Sequence, residues 1–386
     1  MAMTRRSFIR IVGSSAVIMA AGAGTFALTR EPTRALEPWQ TAGTLETEPR
    51  RKAVSYAILA PNPHNRQPWM VELVGDDELV LYCDPERVLP ATDPFSRQIT
   101  IGLGCFLELL RMAAAEDGHK AVITPFPKGY VEQKLDDRPV AHVRFEAAGS
   151  GERDPLFQFV PKRRSNKEPF DLTREVSAAN LATIRDAGIY GDATFAHGAN
   201  EEAMVAKLRD LTWRAFEVEL RTPAAYLESV HLMRIGKAEI EANPDGIDLG
   251  GPFLETLSLV GALDRDQLAD PNSTAFAQGL DMYRDITGTG MAYVWLLTPS
   301  NTRLDQLATG AAYLRQNLKA TSLGIDMHPL SQVLQEYVEM AELYEEMETL
   351  LGKPPGARVQ MLARLGYGPA VKPSPRWHAA TKIRTA

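Results

Sequence analysis

The 386-residue sequence has few of the side chains that build disulfides, metal sites and nucleophilic triads. It contains two cysteines, Cys83 and Cys105, and seven histidines. Two cysteines this far apart give no disulfide framework and no Cys-x-x-Cys metal spacing, so we expect both to be small buried residues. The histidines are scattered, and no Ser-His-Asp motif or His-Glu-x-x-His run is present. No side-chain nucleophile or acid/base pair therefore stands out.

Positive charge is also scarce in this chain. The formal net charge is −7 at pH 7, and loss of residues 1–30, which hold four arginines and no acid, leaves −11. An acidic surface repels nucleic acid and anionic lipid, so we expect no nucleic-acid partner. At 45% hydrophobic residues, the composition is that of a globular protein with enough length for two core-forming halves.

A long uncharged run lies near the N-terminus. Thr-Arg-Arg-Ser-Phe-Ile-Arg at residues 4–10 precedes a run rich in Ala, Gly and Ser at residues 11–28, which resembles a twin-arginine export signal. We therefore predict that residues 1–35 are a signal peptide and the start of a linker, recognised by the twin-arginine export machinery, and that the protein is periplasmic. Membrane anchoring by residues 11–28 is the alternative. Residues 31–49, rich in Pro, Thr and Glu, predict a linker.

The densest group of constrained and polar residues is the run Ala-Pro-Asn-Pro-His-Asn-Arg-Gln-Pro-Trp at residues 60–69. Its three prolines fix φ at about −65° and disfavour a helical residue before each, so no helix passes through the run. The amides of Asn62, Asn65 and Gln67 can both donate and accept hydrogen bonds, as the edge of a heteroaromatic ring requires. On composition alone, a Pro/Asn turn between a helix and a strand is the alternative.

Two apolar stretches at helical spacing stand far apart in the chain. Residues 99–115 predict a buried helix that stops at Gly118, and a second such stretch stops at Gly324. A shift of 206 residues superposes the two stop glycines and also places Gly104 on Gly310. An internal duplication is one interpretation of this match, and chance spacing is the other.

Short apolar runs between turn signals predict a sheet. The predicted strands are residues 71–74, 79–83, 122–126, 140–145 and 290–298. Residues 331–351 carry apolar side chains at helical spacing with glutamates between them, which predicts an amphipathic helix.

A basic run, Pro-Lys-Arg-Arg-Ser-Asn-Lys-Glu-Pro-Phe, stands at residues 161–170 in the middle of this acidic chain. Its arginines and lysines surround a hydroxyl, which is the donor set that phosphate requires, because Arg binds it through two N–H groups and Lys as a point charge. On charge alone, an exposed basic linker between two halves is the alternative.

Both motifs resemble those of the nitroreductase superfamily. The 60–69 run is similar to the superfamily signature Ala-Pro-Ser-x-x-Asn-x-Gln-Pro-Trp, with Asn62 at the usual Ser position. Residues 163–167, Arg-Arg-Ser-Asn-Lys, are similar to its Arg-x-Ser-x-[Arg/Lys] element. The Leu-Gly-Tyr-Gly-Pro run at residues 365–369 and the basic residues after it resemble the Gly-Tyr-Pro strand and its basic element, with one extra glycine.

The resemblance implies FMN as the cofactor, with the proline loop along the isoalloxazine ring and the basic elements around the phosphate. The FMN-binding residues it implies are Pro61, Asn62, Pro63, Asn65, Arg163, Arg164, Ser165, Lys167, Pro329, Lys372 and Arg376. No catalytic side chain and no metal are implied, because the flavin carries the chemistry. The expected reaction is ping-pong hydride or electron transfer from a small-molecule donor to a nitroaromatic, quinone or similar planar acceptor. The alternative is an FMN-binding protein that sequesters flavin without turnover.

The resemblance also implies an α+β nitroreductase-like fold, with a central mixed sheet flanked by helices. Ordinary nitroreductases are homodimers with FMN at the subunit interface, and the chain is most similar to the two-half, single-chain Acg type. We therefore expect a monomeric pseudo-dimer, with a first half at residues 36–155 and a second half at residues 156–386. An irregular insertion at residues 221–272 is expected to cover the site as a lid.

Overall fold

The computed structural model describes residues 30–148 and 153–384, so the predicted export signal in residues 1–29 lies outside the described residues. The helices are α1 (Thr33–Leu36), α2 (Pro38–Thr41), α3 (Pro49–Ala57), α4 (Arg97–Glu116), α5 (Ala178–Asp186), α6 (Glu202–Arg221), α7 (Pro223–Leu232), α8 (Gly236–Ala242), α9 (Pro252–Leu259), α10 (Arg265–Ala269), α11 (Thr274–Thr287), α12 (Arg303–Ser322) and α13 (Ala341–Leu350). The strands are β1 (Trp69–Val74), β2 (Glu78–Cys83), β3 (His119–Pro125), β4 (Ala141–Ala147), β5 (Phe195–Ala199), β6 (Met233–Ile235), β7 (Ile247–Leu249), β8 (Ala292–Thr298), β9 (Asp326–Pro329), β10 (Arg358–Gly366) and β11 (Ile383–Arg384).

The predicted α+β class is confirmed, and the strands divide into two main sheets and one small one. The first sheet has the order β11-β1-β2-β4-β3 and is mixed, because β11 runs parallel to β1 while the other pairs are antiparallel. The second has the order β5-β8-β10-β9 and is antiparallel throughout. Strands β6 and β7 form the small parallel pair. The last strand of the chain therefore completes the edge of the first sheet.

The two main sheets are connected in the same way. In the first sheet, β1 and β2 precede the long helix α4, and β3 and β4 follow it. In the second, β5 and β8 precede the long helix α12, and β9 and β10 follow it. In both sheets the last of the four strands lies between the second and the third. The two halves thus share one strand order around one long helix each.

The long helices α4 and α12 pack directly against each other at the centre of the molecule. A Cβ atom on Gly104 would lie 2.2 Å from the carbonyl oxygen of Leu307, and one on Gly310 would lie 2.1 Å from that of Ile101. Leu307 and Gly310 stand 206 residues after Ile101 and Gly104, so the two contacts are reciprocal, as in a two-fold interface. Glycine is required at both positions because any side chain would overlap the opposite backbone.

Each long helix begins with a fully buried arginine that reaches into the opposite half. Arg97 donates to the carbonyl oxygen of Leu334 at 2.7 Å. Arg303, again 206 residues later, donates to the carbonyl oxygens of Phe95 at 2.7 Å and Glu132 at 3.0 Å. The guanidinium groups donate to backbone carbonyl oxygens of the opposite half, and these hydrogen bonds hold the two halves together.

The predicted linker at residues 31–49 was wrong, because helices α1 and α2 lie there. Trp39 and Ala35 in this segment are 8% and 3% exposed, so the segment buries apolar surface on the folded protein. The predicted irregular insertion at 221–272 was also wrong in detail, since it contains α7–α10 and the small sheet.

The amphipathic helix predicted at residues 331–351 is shorter than expected. It spans only Ala341–Leu350, and two short 3₁₀ turns occupy the residues before it. Gln335 between those turns points inward and donates to Glu219 at 2.7 Å. This tertiary hydrogen bond is made at a residue where the apolar spacing alone predicts a helix.

Helix α4 is long and apolar enough to cross a membrane, but nearly all of it is buried inside the molecule. It is therefore a core helix. Both cysteines are buried and unpaired. Within residues 30–148 and 153–384, no group of three or more His, Cys, Asp or Glu side chains is arranged to hold a metal ion.

Candidate functional site

The proline loop at residues 60–69 is held in a strained conformation. His64, Asn65 and Gln67 have φ angles of 46°, 50° and 49°, which is the left-handed region that residues with a Cβ rarely adopt. Three such residues within four positions cost free energy that the surrounding contacts must offset. Strain of this kind concentrates at binding sites, so the loop is the first part of the candidate site.

Gln67 is the buried residue that fixes the loop. Its side-chain amide donates to the carbonyl oxygen of Pro244 at 2.7 Å and accepts from the backbone N–H of Trp377 at 2.9 Å. Its own backbone N–H donates to Oδ1 of Asn62 at 2.7 Å. The loop amides, which the sequence suggested for a ring edge, are therefore used first to shape the loop and tie it to the insertion and the C-terminal segment.

The start of the loop packs against helix α4. Pro61 is buried, and a Cβ on Gly102 would lie 3.1 Å from Cβ of Asn62 and 3.2 Å from Cδ of Pro63. Gly102 therefore allows the close approach of the loop to the core helix. The nitrogen Nδ2 of Asn65 donates to the carbonyl oxygen of Pro375 at 2.9 Å.

Arg376 is buried beneath the start of the loop and holds it from the C-terminal side. Its guanidinium donates to the carbonyl oxygens of Ile58 at 2.9 Å and Ala60 at 3.2 Å, and to Oδ1 of Asn65 at 2.5 Å. Burial, together with the charges of Arg163 and Arg164, lowers the pKa of Arg376 well below its ordinary value. Arg376 thus acts on the loop backbone, and it carries a buried positive charge with no carboxylate partner in the described part of the chain.

Arg163 lies next to Arg376 and is also buried. It donates to the carbonyl oxygen of Leu59 at 3.0 Å and to Oδ1 of Asn317 at 3.2 Å, while its Nε has no hydrogen-bond partner among the described residues. Burial is the main cause that lowers its pKa to about 10, and the charge of Arg164 acts in the same direction. A buried donor without an acceptor is costly, so this nitrogen is available to a hydrogen-bond acceptor of a ligand.

Arg164 and Ser165 are half-buried beside this pair. Arg164 donates to the carbonyl oxygens of Pro161 and of its neighbour Arg163 through one nitrogen, which leaves its other donors without a partner in the described chain. Ser165 lies beside the buried hydroxyl of Tyr313, and that hydroxyl has no partner of hydrogen-bond geometry. These groups add hydroxyl and N–H donors to the arginine cluster.

Trp39 covers the cluster from the outside. Its ring centroid lies 5.6 Å from the guanidinium carbon of Arg163, 4.9 Å from that of Arg164 and 5.2 Å from that of Arg376. Trp39 was not predicted from the sequence because it lies in the segment that resembled a linker. Tyr313 was not predicted because it belongs to the buried stripe of α12. Only the tertiary structure brings the five residues together.

Lys167 lies close enough to two histidines, His64 and His328, for its charge to act on both. Lys167 has an exposed surface, but protein atoms surround its ammonium group on the other sides. The resulting desolvation lowers the pKa of Lys167, and the charges of Glu219 and Asp248 act in the opposite direction. Burial and the charge of Lys167 lower the pKa of His64, in the loop, to about 4, and its Nδ1 is buried without a partner among the described residues. The same two causes, with Arg364, lower the pKa of His328 in β9. Both imidazoles are therefore neutral at pH 7.

The tautomer of His328 follows from its neighbour. Nδ1 of His328 accepts a hydrogen bond from Nε of Arg364 at 2.9 Å. Because a guanidinium only donates, the ring proton lies on Nε2. Pro329, next to it, is half-buried and pairs with Ala363 in the second sheet.

One predicted site residue lies apart from the cluster. Lys372 is exposed and forms an ion pair with Glu31 at 3.1 Å. It therefore holds the N-terminal segment to the C-terminal one and makes no contact with the arginines.

The insertion is fastened to the site through Asp245. This buried carboxylate accepts from Arg87 at 2.5 Å, from Arg234 at 2.8 Å and from Nε1 of Trp377 at 3.1 Å. Burial alone would raise the pKa of Asp245, but the hydrogen bonds from Arg87 and Trp377 hold it below its ordinary value. The insertion therefore docks on the proline loop and the C-terminal segment, and the charge of Asp245 is balanced by its arginine partners.

A surface cavity of about 530 Å³ lies elsewhere, beside Asp154 and Arg315. Those two residues are ion-paired with each other at 2.5 Å. The cavity contains none of the loop or cluster residues, so the chemistry of the side chains, rather than cavity size, locates the candidate site.

The donor set fits a phosphate-bearing ligand at one end. Arg163, Arg164 and Tyr313 present N–H and O–H donors without acceptors among the described residues, and no carboxylate there neutralises the arginines. Lys167 and the neutral His64 and His328 form a second group of donors.

Comparison with known proteins gives partial matches. No protein-family model matches the chain. An uncharacterized protein of Mycobacterium tuberculosis strain H37Rv is 34% identical over 127 residues, which cover 31% of this chain and 35% of that protein, so the match spans about a third of that relative. A second protein of the same strain, named "Putative NAD(P)H nitroreductase", is 23% identical over 86% of this chain and 90% of its own length. The chain is similar to nitroreductases in sequence.

Among solved structures, a protein from Anabaena variabilis named "putative nitroreductase" covers 87% of this chain and 91% of its own, with 10% identity and a TM-score of 0.40. The FMN-dependent nitroreductase NfnB of Mycobacterium smegmatis, solved with NADPH, covers 58% of this chain and 95% of its own, with 16% identity and a TM-score of 0.38.

Proposed function

We propose that the protein is an FMN-dependent oxidoreductase of the nitroreductase type. The observation that carries this proposal is the group of three arginines, two of them buried and one half-buried, without carboxylate partners beside the strained proline loop. The similarity to NAD(P)H nitroreductases over most of the chain supports it.

The residues suggest how FMN would lie. Arg163, Arg164 and Ser165, with the hydroxyl of Tyr313, would hold the phosphate through charge-assisted hydrogen bonds. Arg376 would act indirectly, by holding the loop backbone in place. The ring would then extend along the loop toward Lys167.

Lys167 would place a positive charge at the ring end of the site, between the first-half loop and the second-half strand β9. Its lowered pKa reflects desolvation and makes it a better proton donor than a lysine with the ordinary pKa. His328 would present its Nε2–H in a fixed orientation because Arg364 binds Nδ1. When bound, FMN supplies two-electron chemistry at its ring, and the chain supplies orientation, charge and exclusion of water.

The arrangement favours a single-chain pseudo-dimer of Acg type, produced by internal duplication. The common strand order, the reciprocal glycine contacts and the paired arginines Arg97 and Arg303 support this history. The flavin would lie between the loop of one half and the basic element of the other.

The twin-arginine pattern in residues 4–10 supports export to the periplasm with the cofactor already bound. Free NAD(P)H is scarce outside the cytoplasm, so the electron donor would be another small reductant there. The acceptor would be a planar nitroaromatic or quinone, because the ring end offers neutral imidazoles and one cation.

A flavin-sequestering protein is the second candidate, and the docked insertion favours it. Gln67 and Asp245 tie the insertion to the loop, which would restrict access of an acceptor to the ring. The two functions differ in turnover, not in cofactor.

A redox experiment separates the two candidates. The purified yellow protein is reduced with dithionite under argon, and a nitroaromatic or a quinone is then added while the flavin absorption is followed. We expect bleaching followed by reoxidation within the mixing time, and a control with the acceptor omitted stays bleached. A reduced flavin that persists with acceptor present would establish sequestration instead, and a protein that never binds FMN would refute both.

A further inference from the structure

The segment that covers the arginine cluster is fixed to two other parts of the chain. We define residues 30–42 as the N-terminal strap. On one side, the backbone N–H of Arg376 donates to the carbonyl oxygen of Ala35 at 2.8 Å, and Nε1 of Trp39 donates to that of Ser374 at 2.8 Å. On the other side, the backbone N–H of Arg34 donates to Glu241 of the insertion at 3.0 Å. The strap is therefore part of the folded site.

Trp39 is the strap residue that meets the cluster. Its indole is 8% exposed and has three guanidinium groups within 5.6 Å of its ring centroid. Cation–π attraction draws each guanidinium toward the ring, and it is strongest where water is excluded. The indole thus compensates part of the cost of placing three like charges together, two of them buried.

The positions of the arginines and of Trp39 close one end of the site. Arg163 and Arg376 donate to the backbone of residues 58–60 on the loop side and contact Trp39 as well. A phosphate bound by the unpartnered donors of the cluster would thus lie close to the indole. A ligand that ends in phosphate ends at this wall, whereas one that continues past its phosphate needs the volume that the indole and the strap occupy.

We propose that Trp39 is a specificity residue, which makes the site accept a flavin with a terminal monophosphate and reject one whose phosphate carries an adenylate group. The inference rests on the proposed function, because it takes the ligand to be a flavin. The inference concerns the indole and the strap on the far side of the phosphate. It does not depend on whether the protein catalyses a reaction with the flavin.

The test measures binding to the protein freed of flavin, by quenching of flavin fluorescence during titration with FMN and with FAD. The variants are Trp39→Ala and Trp39→Leu, the second of which keeps an apolar anchor for the strap. Trp213→Ala is the matched control, because Trp213 also contacts an arginine, Arg284 at 4.7 Å, but on helix α6. Circular dichroism verifies that each variant is folded.

We expect the unaltered protein and Trp213→Ala to bind FMN about a hundredfold more tightly than FAD. In Trp39→Ala the affinity for FAD itself should rise by about tenfold, and a loss of protein stability cannot produce such a rise. The affinity of Trp39→Leu for FAD should change in the same direction. An unchanged FMN-to-FAD ratio in both Trp39 variants, or equal affinities in the unaltered protein, overturns the inference and leaves the proposed function intact. Failure of the unaltered protein to bind either flavin overturns the proposed function as well.

Discussion

At the residue scale, the site depends on arginines that are buried without carboxylate partners. Desolvation of a guanidinium is costly, and backbone carbonyls and an indole compensate only part of that cost. Arg163 keeps one buried nitrogen with no acceptor among the described residues, and Tyr313 keeps a hydroxyl in the same condition. A phosphate dianion would satisfy both, so the cofactor should also stabilise the fold.

The residues of the basic element could be predicted from the sequence, whereas their neighbours could not. Arg163, Ser165 and Lys167 stand at short spacing in one motif, which a phosphate site requires. Trp39 and Tyr313 come from distant segments whose local patterns indicate a linker and a core helix. Their role follows only from long-range packing, which no local pattern encodes.

Glu219 gives a pH prediction at this scale. The carboxyl is buried on α6, and burial is the main cause that raises its pKa from 4.5 to about 7, against hydrogen bonds from Gln335 and Gln332. The folded state therefore binds the proton more tightly than the unfolded state. This contribution to stability is full below about pH 4.5 and is lost as the pH rises through 7.

The variant Glu219→Gln should remove this pH dependence. The free energy of unfolding of the unaltered protein, measured by urea denaturation, should fall by about 1 kcal/mol more between pH 6 and pH 8 than that of Glu219→Gln. Glu217→Gln on the same helix, where Glu217 pairs with Arg221 near the surface, is the control and should follow the unaltered protein. Parallel pH profiles for all three would contradict the assignment.

At the element scale, the crossing of α4 and α12 holds the two halves together. The sequence predicts both helices and their stop glycines, because apolar periodicity and a positive-φ glycine are local signals. Gly118 and Gly324 have φ angles of 78° and 66°, as such stops require. The short helices of the strap and the 3₁₀ turns before α13 were not predictable, because tertiary hydrogen bonds and burial of Trp39 decide them.

Substitution of the crossing glycines should separate the helices. Gly104→Ala or Gly310→Ala places a methyl group about 2 Å from a backbone oxygen, and we expect each to lower the free energy of unfolding by about 3 kcal/mol or more. Gly279→Ala in α11, where a Cβ would meet no atom within 4 Å, should instead raise it by about 0.5 kcal/mol. Thermal denaturation of the three variants measures this difference, and equal effects would show that the close approach is not required.

At the scale of the whole molecule, the chain is organised around a pseudo-two-fold relation that is broken at the site. The strand order is common to the two main sheets, and the crossing glycines and the buried arginines repeat with a shift of 206 residues. The insertion and the C-terminal segment both contact the proline loop, β11 pairs with the strand β1 that follows the loop, and the strap contacts the C-terminal segment. One elaborated site per chain is the consequence.

The sequence did not predict how the C-terminal end of the chain pairs with the first sheet. The pairing of β11 with β1 joins Ile383 to Val71, more than 300 residues apart, through a strand of two residues. No periodicity marks so short a strand. The contact of the strap with the insertion likewise depends on single ion pairs, such as Arg30 with Glu255 at 3.0 Å.

The central claim is that the arginine cluster binds the phosphate of one FMN between the halves of one chain. Titration of the flavin-free protein with FMN and with riboflavin, at a chain concentration fixed by absorbance, tests it directly. We expect one FMN to bind per chain, and riboflavin to bind more weakly than FMN by a hundredfold or more. In Arg164→Ala, the affinity for FMN should fall by about tenfold, whereas the affinity for riboflavin should not change. Equal affinity for FMN and riboflavin in the unaltered protein would contradict the account.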